Sequence, residues 1–303
     1  MAWNVFKFCT GLRVVGSVMI LVVLAVVSVS YYAVVISNYG PQLLKGGSET
    51  VVAAFVLIVF HALLVMLLWC YFAVVVTDPG GVPQGWKPEA DDEDLEAQTM
   101  PLSASTVAGL NSGALQSPRI RYCRKCCQYK PPRCHHCSVC KCILKMDHHC
   151  VWVVNCVGAR NYKAFLLFLF YTFLETTLVA LSLLPHFIAF FSDVEDNAST
   201  PGSLATTFLG FVLDLAFALS VLGFLIMHVS LVSGNTTTIE AYEKKASTRW
   251  QYDLGRWRNF EQVFGTRRSH WLLPTYAEED VRRMPSLRGL DYPVRAGIEG
   301  SEI

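Results

Sequence analysis

Charge is scarce in this 303-residue chain: Asp, Glu, Lys and Arg together make up 16% of it, against 53% hydrophobic residues and a mean hydropathy of +0.38. About a quarter of an ordinary soluble domain is charged, so that class is excluded. The net charge of +1 excludes nothing by itself; its placement says more. Lys and Arg are nearly missing from four apolar runs, residues 14–36, 51–76, 164–191 and 204–232. Each is long enough to cross a bilayer, which takes about 20 apolar residues. The first run lacks a small-residue cleavage site followed by a polar start, so it is read as a true span and not a signal peptide. Internal repeats are also lacking, apart from a doubled cysteine pattern.

Basic residues are equally uneven in the loops. The connection between the first two runs carries only Lys45, and "SDVEDNASTPGS" between the last two carries none. Residues 77–163 and 233–303 hold nearly all the others, and Lys7 and Arg13 precede the first run. The positive-inside rule then places both termini and the large central loop in the cytosol. Asn197-Ala198-Ser199 is a glycosylation sequon on the lumenal side of that arrangement; Asn235-Thr236-Thr237 falls on the cytosolic side.

The central loop has two parts. Residues 80–118 are rich in Gly, Pro, Ser and acid and show no apolar periodicity, which predicts a flexible linker. Residues 119–163 are basic and hold nine of the eleven cysteines; Cys9 and Cys70 lie at or within the membrane. A reducing cytosol excludes a disulfide framework, which leaves metal binding or catalysis.

Structural zinc takes four ligands, often as Cys-x2-Cys pairs joined by His. Cys123 and Cys126 form one such pair, followed by His136 and Cys142; Cys137 and Cys140 form another, followed by His149 and Cys156. Two interleaved Cys3His sites result. A segment of this size with few large aliphatic residues depends on metal for much of its folding energy. Within "KMDHHCVWVVNC" (145–156), Asp147, His148 and Cys150 are left over. In an extended strand His148 and Cys150 share a face while His149 points the opposite way. An imidazole beside a thiol can take its proton, and a carboxylate can fix the ring's tautomer. This set is either an acid–base–nucleophile triad or a group of surplus ligands.

Asp147-His148-His149-Cys150, inside a cysteine-rich segment between the second and third of four spans, resembles the DHHC-type protein S-acyltransferases, or palmitoyltransferases. Further motifs follow in order: "TDPG" (77–80) after the second span, "NCVGARNYKAFLLFLFY" into the third, Thr237-Thr238-Ile239-Glu240 after the fourth, and "NFEQVFG" (259–265). The resemblance runs from the first span to about residue 265. It implies an α-helical integral membrane protein of four transmembrane helices, with a cytosolic zinc-binding cysteine-rich domain between helices two and three. It implies that Cys150 takes a long-chain acyl group from acyl-CoA and passes it to cysteines of membrane-associated proteins. His148 would be the general base, Asp147 its orienting acid, and the two Zn2+ structural. Lys130, Arg133 and His135 match positions near the acyl-CoA headgroup. The setting implied is an endomembrane (Golgi or related) or the plasma membrane, with acyl-CoA, the bilayer and protein substrates as partners. No nucleic-acid feature is present.

Two departures stand out. The family commonly spaces the later cysteines Cys-x2-Cys-x2-Cys, whereas Cys140-Lys141-Cys142 is one residue short. That puts Cys142 in competition with Cys134 and Cys127 for the first zinc site and keeps open a second reading, a catalytically silent zinc-bearing scaffold. Val151 replaces the proline many members carry after the nucleophile. Glu175, Asp214 and His61 lie inside the spans, where acids are costly and usually face the bundle interior. Glu175 is expected either to help close the acyl cavity or to bond Asp214 or His61. A transporter pathway through Glu175 and Asp214 is a third reading, disfavoured by the intact Asp-His-His-Cys. Pro185-His186 predicts a kink or an interfacial end in the third span.

Overall fold

The computed structural model describes residues 9–88, 121–192, 201–243 and 250–295. Most of the acidic linker and the Asn197 sequon lie outside the described residues. Among the described residues, four helices are long and apolar enough to cross a membrane, Val18–Gln42, Gly47–Val76, Tyr162–Ala189 and Gly202–Ser233.

The first is α1 (Cys9–Tyr31), which continues as a π-helix over Tyr32–Tyr39 and a short α2 (Gly40–Gln42). It therefore outlasts the apolar run that predicted it. The Asn38 amide donates to Ala33 O at 2.7 Å and to Thr207 Oγ1 at 2.9 Å, supporting the widened turns. The other spans are α3 (Gly47–Val76), α4 (Tyr162–Ser192) and α5 (Pro201–Ser233). Pro185 sits inside α4 and does not end it. The distal core joins Val34, Phe60, Val179, Leu183 and Phe211. A Cβ added at Gly210 would meet Ala33 Cβ at 3.0 Å, so glycine lets the π-helical stretch of the first span and α5 approach closely.

Between α3 and α4, the described residues form three antiparallel hairpins: β1 (Arg121–Cys123) with β2 (Gln128–Lys130), β3 (His135–Cys137) with β4 (Lys141–Ile143), and β5 (His148–Cys150) with β6 (Asn155–Val157). They are fastened to the bundle. The Asn155 side chain donates to Val74 O at 3.1 Å and Thr77 O at 2.9 Å, satisfying carbonyls at the end of α3. The Asp78-Pro79-Gly80 turn follows directly: Leu144 N donates to Gly80 O at 2.8 Å and Arg160 N to Pro79 O at 3.3 Å. A Cβ at Gly158 would lie 2.6 Å from Pro79 O, so that contact requires glycine. Tyr71, Val74, Val153, Val157, Phe165 and Val232 form the core between hairpins and spans.

After α5 come α6 (Thr238–Glu243), α7 (Arg256–Phe264), α8 (Glu278–Arg283) and α9 (Pro285–Arg288). Asn259 of the "NFEQVFG" motif is fully buried and donates to Ser233 O at 2.7 Å. Lys163, also buried, donates to Phe264 O at 3.2 Å and Thr275 O at 2.6 Å. These bonds hold the C-terminal segment against the spans.

Candidate active site and metal centres

Hairpin register assembles the metal ligands. His136 stands directly across from Cys142 in the second hairpin, and His149 directly across from Cys156 in the third. Each cross-strand pair meets the Cys-x2-Cys turn of the preceding hairpin: Cys123 and Cys126 in one case, Cys137 and Cys140 in the other. The four ligand atoms of each set lie within 4.8 Å of one another. His136 Nδ1 is 3.5 Å from Cys123 Sγ and 3.2 Å from Cys126 Sγ. His149 Nδ1 is 3.7, 3.5 and 3.4 Å from the sulfurs of Cys137, Cys140 and Cys156. Zinc bonds of about 2.3 Å to sulfur and 2.0 Å to nitrogen, at tetrahedral angles, need an S···N edge of about 3.5 Å. Both sets can hold a metal ion of this kind.

The one-residue shortening is absorbed in a turn. Cys137 pairs with Lys141 across a three-residue turn, where the other hairpins close Cys123 on Gln128 and Cys150 on Asn155 across four. Lys141 adopts φ +71° to close it. Cys142 thus reaches the first cluster, and neither competitor joins it. Cys134 is fully buried beside Cys142 and Leu144, where burial pushes its thiol pKa up to about 11. Cys127 is exposed, with its thiol 3.5 Å from Arg124 O.

Strand alternation then divides β5. His149 turns to the metal ligands, while Cys150 packs with Tyr71 and Phe165 and the His148 ring lies 5.2 Å from that of Phe165. His148 Nδ1 is 2.7 Å from Asp147 Oδ1. Asp147, 1% exposed, is clamped by Thr238: the amide donates to Oδ2 at 2.9 Å and the hydroxyl to the Asp147 carbonyl at 2.6 Å. Burial opposes ionisation of Asp147, but the His148 hydrogen bond, the nearby imidazoles and the Thr238 amide outweigh it and hold its pKa below the usual range. Burial alone would lower the His148 pKa; its bonds to Asp147 and Cys150 raise it to about 9. At Cys150 burial pushes upward, and the His148 bond with the amides of Val153 and Trp152 bring the net shift downward. The arrangement favours an imidazolium–thiolate pair.

The sequence reading missed His228. It is fully buried on α5, groups with Asp147 and His148, and has Nδ1 3.1 Å from the Tyr162 hydroxyl. A lone histidine close to the C-terminal end of the last apolar run is its only signal.

Arg133 requires a correction. It is not free to meet an acyl-CoA headgroup: 3% exposed, its guanidinium donates to both Glu240 oxygens at 2.7 Å and to Asn235 Oδ1 and O at 3.0 and 2.7 Å. Tyr252 and Tyr292 cover its faces, with centroids 4.7 and 5.0 Å away. Glu240 also accepts from Thr237 N at 2.9 Å while Thr237 Oγ1 accepts from Glu240 N at 3.2 Å, a capping box that starts α6. Thr237-Thr238-Ile239-Glu240 is therefore a helix cap that also holds Asp147 through Thr238 and Arg133 through Glu240. Lys130 is half-buried on β2, and His135, half-buried on β3, lies 3.7 Å from Glu243. Lys145 is buried near Arg133, 5.8 Å from the Tyr292 ring, and burial lowers its pKa to about 7.

A cavity of about 390 Å³ opens at Cys150 and runs between the spans, walled mostly by apolar side chains such as Val26, Leu64, Phe168 and Val221. Trp152 lines its mouth; Glu175 and Asp214 line its depth. Glu175 bonds neither Asp214 nor His61: both its oxygens lack a hydrogen-bond partner among the described residues.

Comparison with known proteins agrees with this geometry. The DHHC palmitoyltransferase family model matches residues 116–245. "Probable protein S-acyltransferase 14" of Arabidopsis thaliana is 68% identical over 301 residues, covering 99% of this chain and 97% of the relative. "Probable protein S-acyltransferase 13" of the same plant is 61% identical over 99% of this chain and 98% of the relative. "Palmitoyltransferase ZDHHC20" of Homo sapiens is 36% identical over 91% of this chain and 77% of the relative. With a relative 68% identical along nearly its whole length and four helices long and apolar enough to cross a membrane among its described residues, this multi-pass membrane chain belongs to the DHHC protein S-acyltransferase family.

Proposed function

We propose that the protein moves a long-chain acyl group, palmitoyl or similar, from acyl-CoA through a Cys150 thioester to cysteines of membrane-associated proteins, in a ping-pong cycle. One observation carries the reading: Cys150, with the Asp147–His148 pair beside it, stands at the mouth of a deep apolar cavity within the spans. A long acyl chain is costly to expose to water, and the cavity removes that cost while its thioester meets the sulfur.

His148 takes the Cys150 proton, and the thiolate attacks the thioester carbonyl. The carbon–sulfur bond to CoA breaks, and the CoA sulfur takes the proton from His148. A substrate cysteine next gives its proton to His148 and attacks the acyl-enzyme. Cys150 leaves as thiolate and regains the proton. Asp147 keeps the His148 ring oriented and stabilises its charge. Cys123, Cys126, His136 and Cys142, and Cys137, Cys140, His149 and Cys156, would hold two structural zinc ions that stiffen the hairpins. Lys130 and His135 offer partly exposed groups for the CoA phosphates. The distribution of basic residues supports a cytosolic active site on endomembranes or the plasma membrane.

The test is incubation of purified protein with labelled palmitoyl-CoA, reading hydroxylamine-sensitive label. Wild type should label and Cys150→Ser should not. Equal labelling of both would remove Cys150 as nucleophile. Absence of label in a protein with two bound zinc ions would favour the silent scaffold.

A further inference from the structure

The cavity walls are mostly apolar, with Thr172 and Ser220 among them, and two acids, Glu175 and Asp214, line it as well. Phe165 and Phe224 flank the His148 ring near the mouth, with centroids 5.2 and 6.5 Å away. Glu175 stands ten residues farther along α4 than Phe165, and Asp214 ten residues farther from the mouth along α5 than Phe224. At about 1.5 Å per residue, each helix independently places its carboxyl about 15 Å beyond the level of His148. Asp214 Oδ2 lies 2.7 Å from Ser30 Oγ on α1. Glu175 is 5% exposed, lines the cavity, and has neither oxygen paired among the described residues. A shielded carboxyl without a partner is unfavourable, and polar groups at such depth in a membrane are commonly functional.

Resting on the acyl-cavity reading above, we propose that Glu175, with Asp214 beside it, is a hydrogen-bonding subsite for an acyl donor whose distal end carries a hydroxyl, an ω-hydroxyacyl-CoA. A hydroxyl both donates and accepts, so it can pair with a carboxyl in either protonation state. A methyl-ended chain of equal length offers Glu175 nothing and sets its end against polar atoms. The bond changes at Cys150 are those of ordinary loading; the distal hydroxyl only binds.

The experiment is a competition on the purified, zinc-loaded full chain, with equal concentrations of palmitoyl-CoA and ω-hydroxypalmitoyl-CoA and intact-mass readout of the thioester on Cys150. The hydroxylated adduct should predominate roughly three- to tenfold, the range one net hydrogen bond supports. Glu175→Leu should abolish the ω-hydroxyl preference and Glu175→Gln should retain it. Predominance of the palmitoyl adduct in the wild type, or the same ratio in Glu175→Leu, would overturn the subsite while leaving the acyl cavity standing. Loading by neither donor, with zinc content normal, would overturn both.

Discussion

Thr238 grips Asp147 at both ends, its amide on Oδ2 at 2.9 Å and its hydroxyl on the main-chain carbonyl at 2.6 Å. The helix cap after the last span thereby reaches the acid that orients His148, across 91 residues of sequence. Thr238→Val keeps the amide and loses the hydroxyl. Acyl-enzyme formation should slow roughly three- to tenfold, the effect of one hydrogen bond, with zinc content unchanged. An unaltered loading rate would show that the grip is only architectural.

Asp147→Asn keeps the shape of that carboxyl and removes its charge. His148 then loses the partner that raises its pKa. Single-turnover loading should fall by roughly 10²- to 10⁴-fold, the contribution of the general base that the carboxylate orients. A fall in steady-state transfer without a fall in loading would place Asp147 in the second half-reaction alone.

Arg133 and Glu240 form a bidentate pair whose side chains are 1% and 4% exposed. Removing either partner leaves the other's charge buried and should cost roughly 3–5 kcal/mol. Arg133→Met and Glu240→Leu should each lower the melting temperature sharply, and the double variant should recover much of the loss. A headgroup role for Arg133 would instead raise the KM for acyl-CoA at unchanged stability.

Metal counting tests the shortened cysteine spacing. Wild type should bind two zinc ions per chain, Cys142→Ala one, and Cys127→Ser and Cys134→Ala two. Chelation should abolish loading together with folding of the hairpins. Two zinc ions in Cys142→Ala would mean another residue completes the first site.

Lys145 supplies a pH signature. It is buried among Arg133, Glu240, Asp147 and Tyr292, with a pKa of about 7 against the usual 10.5. Between those values the unfolded chain binds more protons than the folded one, so stability rises with pH. Below the folded value the cost is complete. Lys145→Met should therefore raise the melting temperature most in mildly acidic buffer, with the gain shrinking as pH climbs toward 10. A pH-independent gain would assign the effect to packing.

Much of this architecture is legible in the order of the amino acids. Hydropathy locates four spans because a bilayer demands length and apolarity over a continuous run. The ligands are legible because Cys-x2-Cys is a local geometry. Spacing leaves open whether a missing residue dislodges Cys142, since that depends on turn length and strand register. Arg133 misleads because a basic residue in a basic loop looks solvated; its partner Glu240 lies 107 residues away. His228 is hidden for a similar reason, reaching His148 from α5, the span after the one that follows the hairpins. Glu175 stands out as an anomaly in an apolar run, but only the shape of the cavity tells which way it faces.

The two-sidedness of β5 has one more consequence. A strand slipped by a single residue turns every side chain to the opposite face. In "HHC" that slip would offer His148 and Cys150 to the metal cluster and leave His149 beside the cavity. Zinc held in the correct alignment would forbid this exchange. Such ions would act as proofreaders, keeping Cys150 from being spent as a ligand.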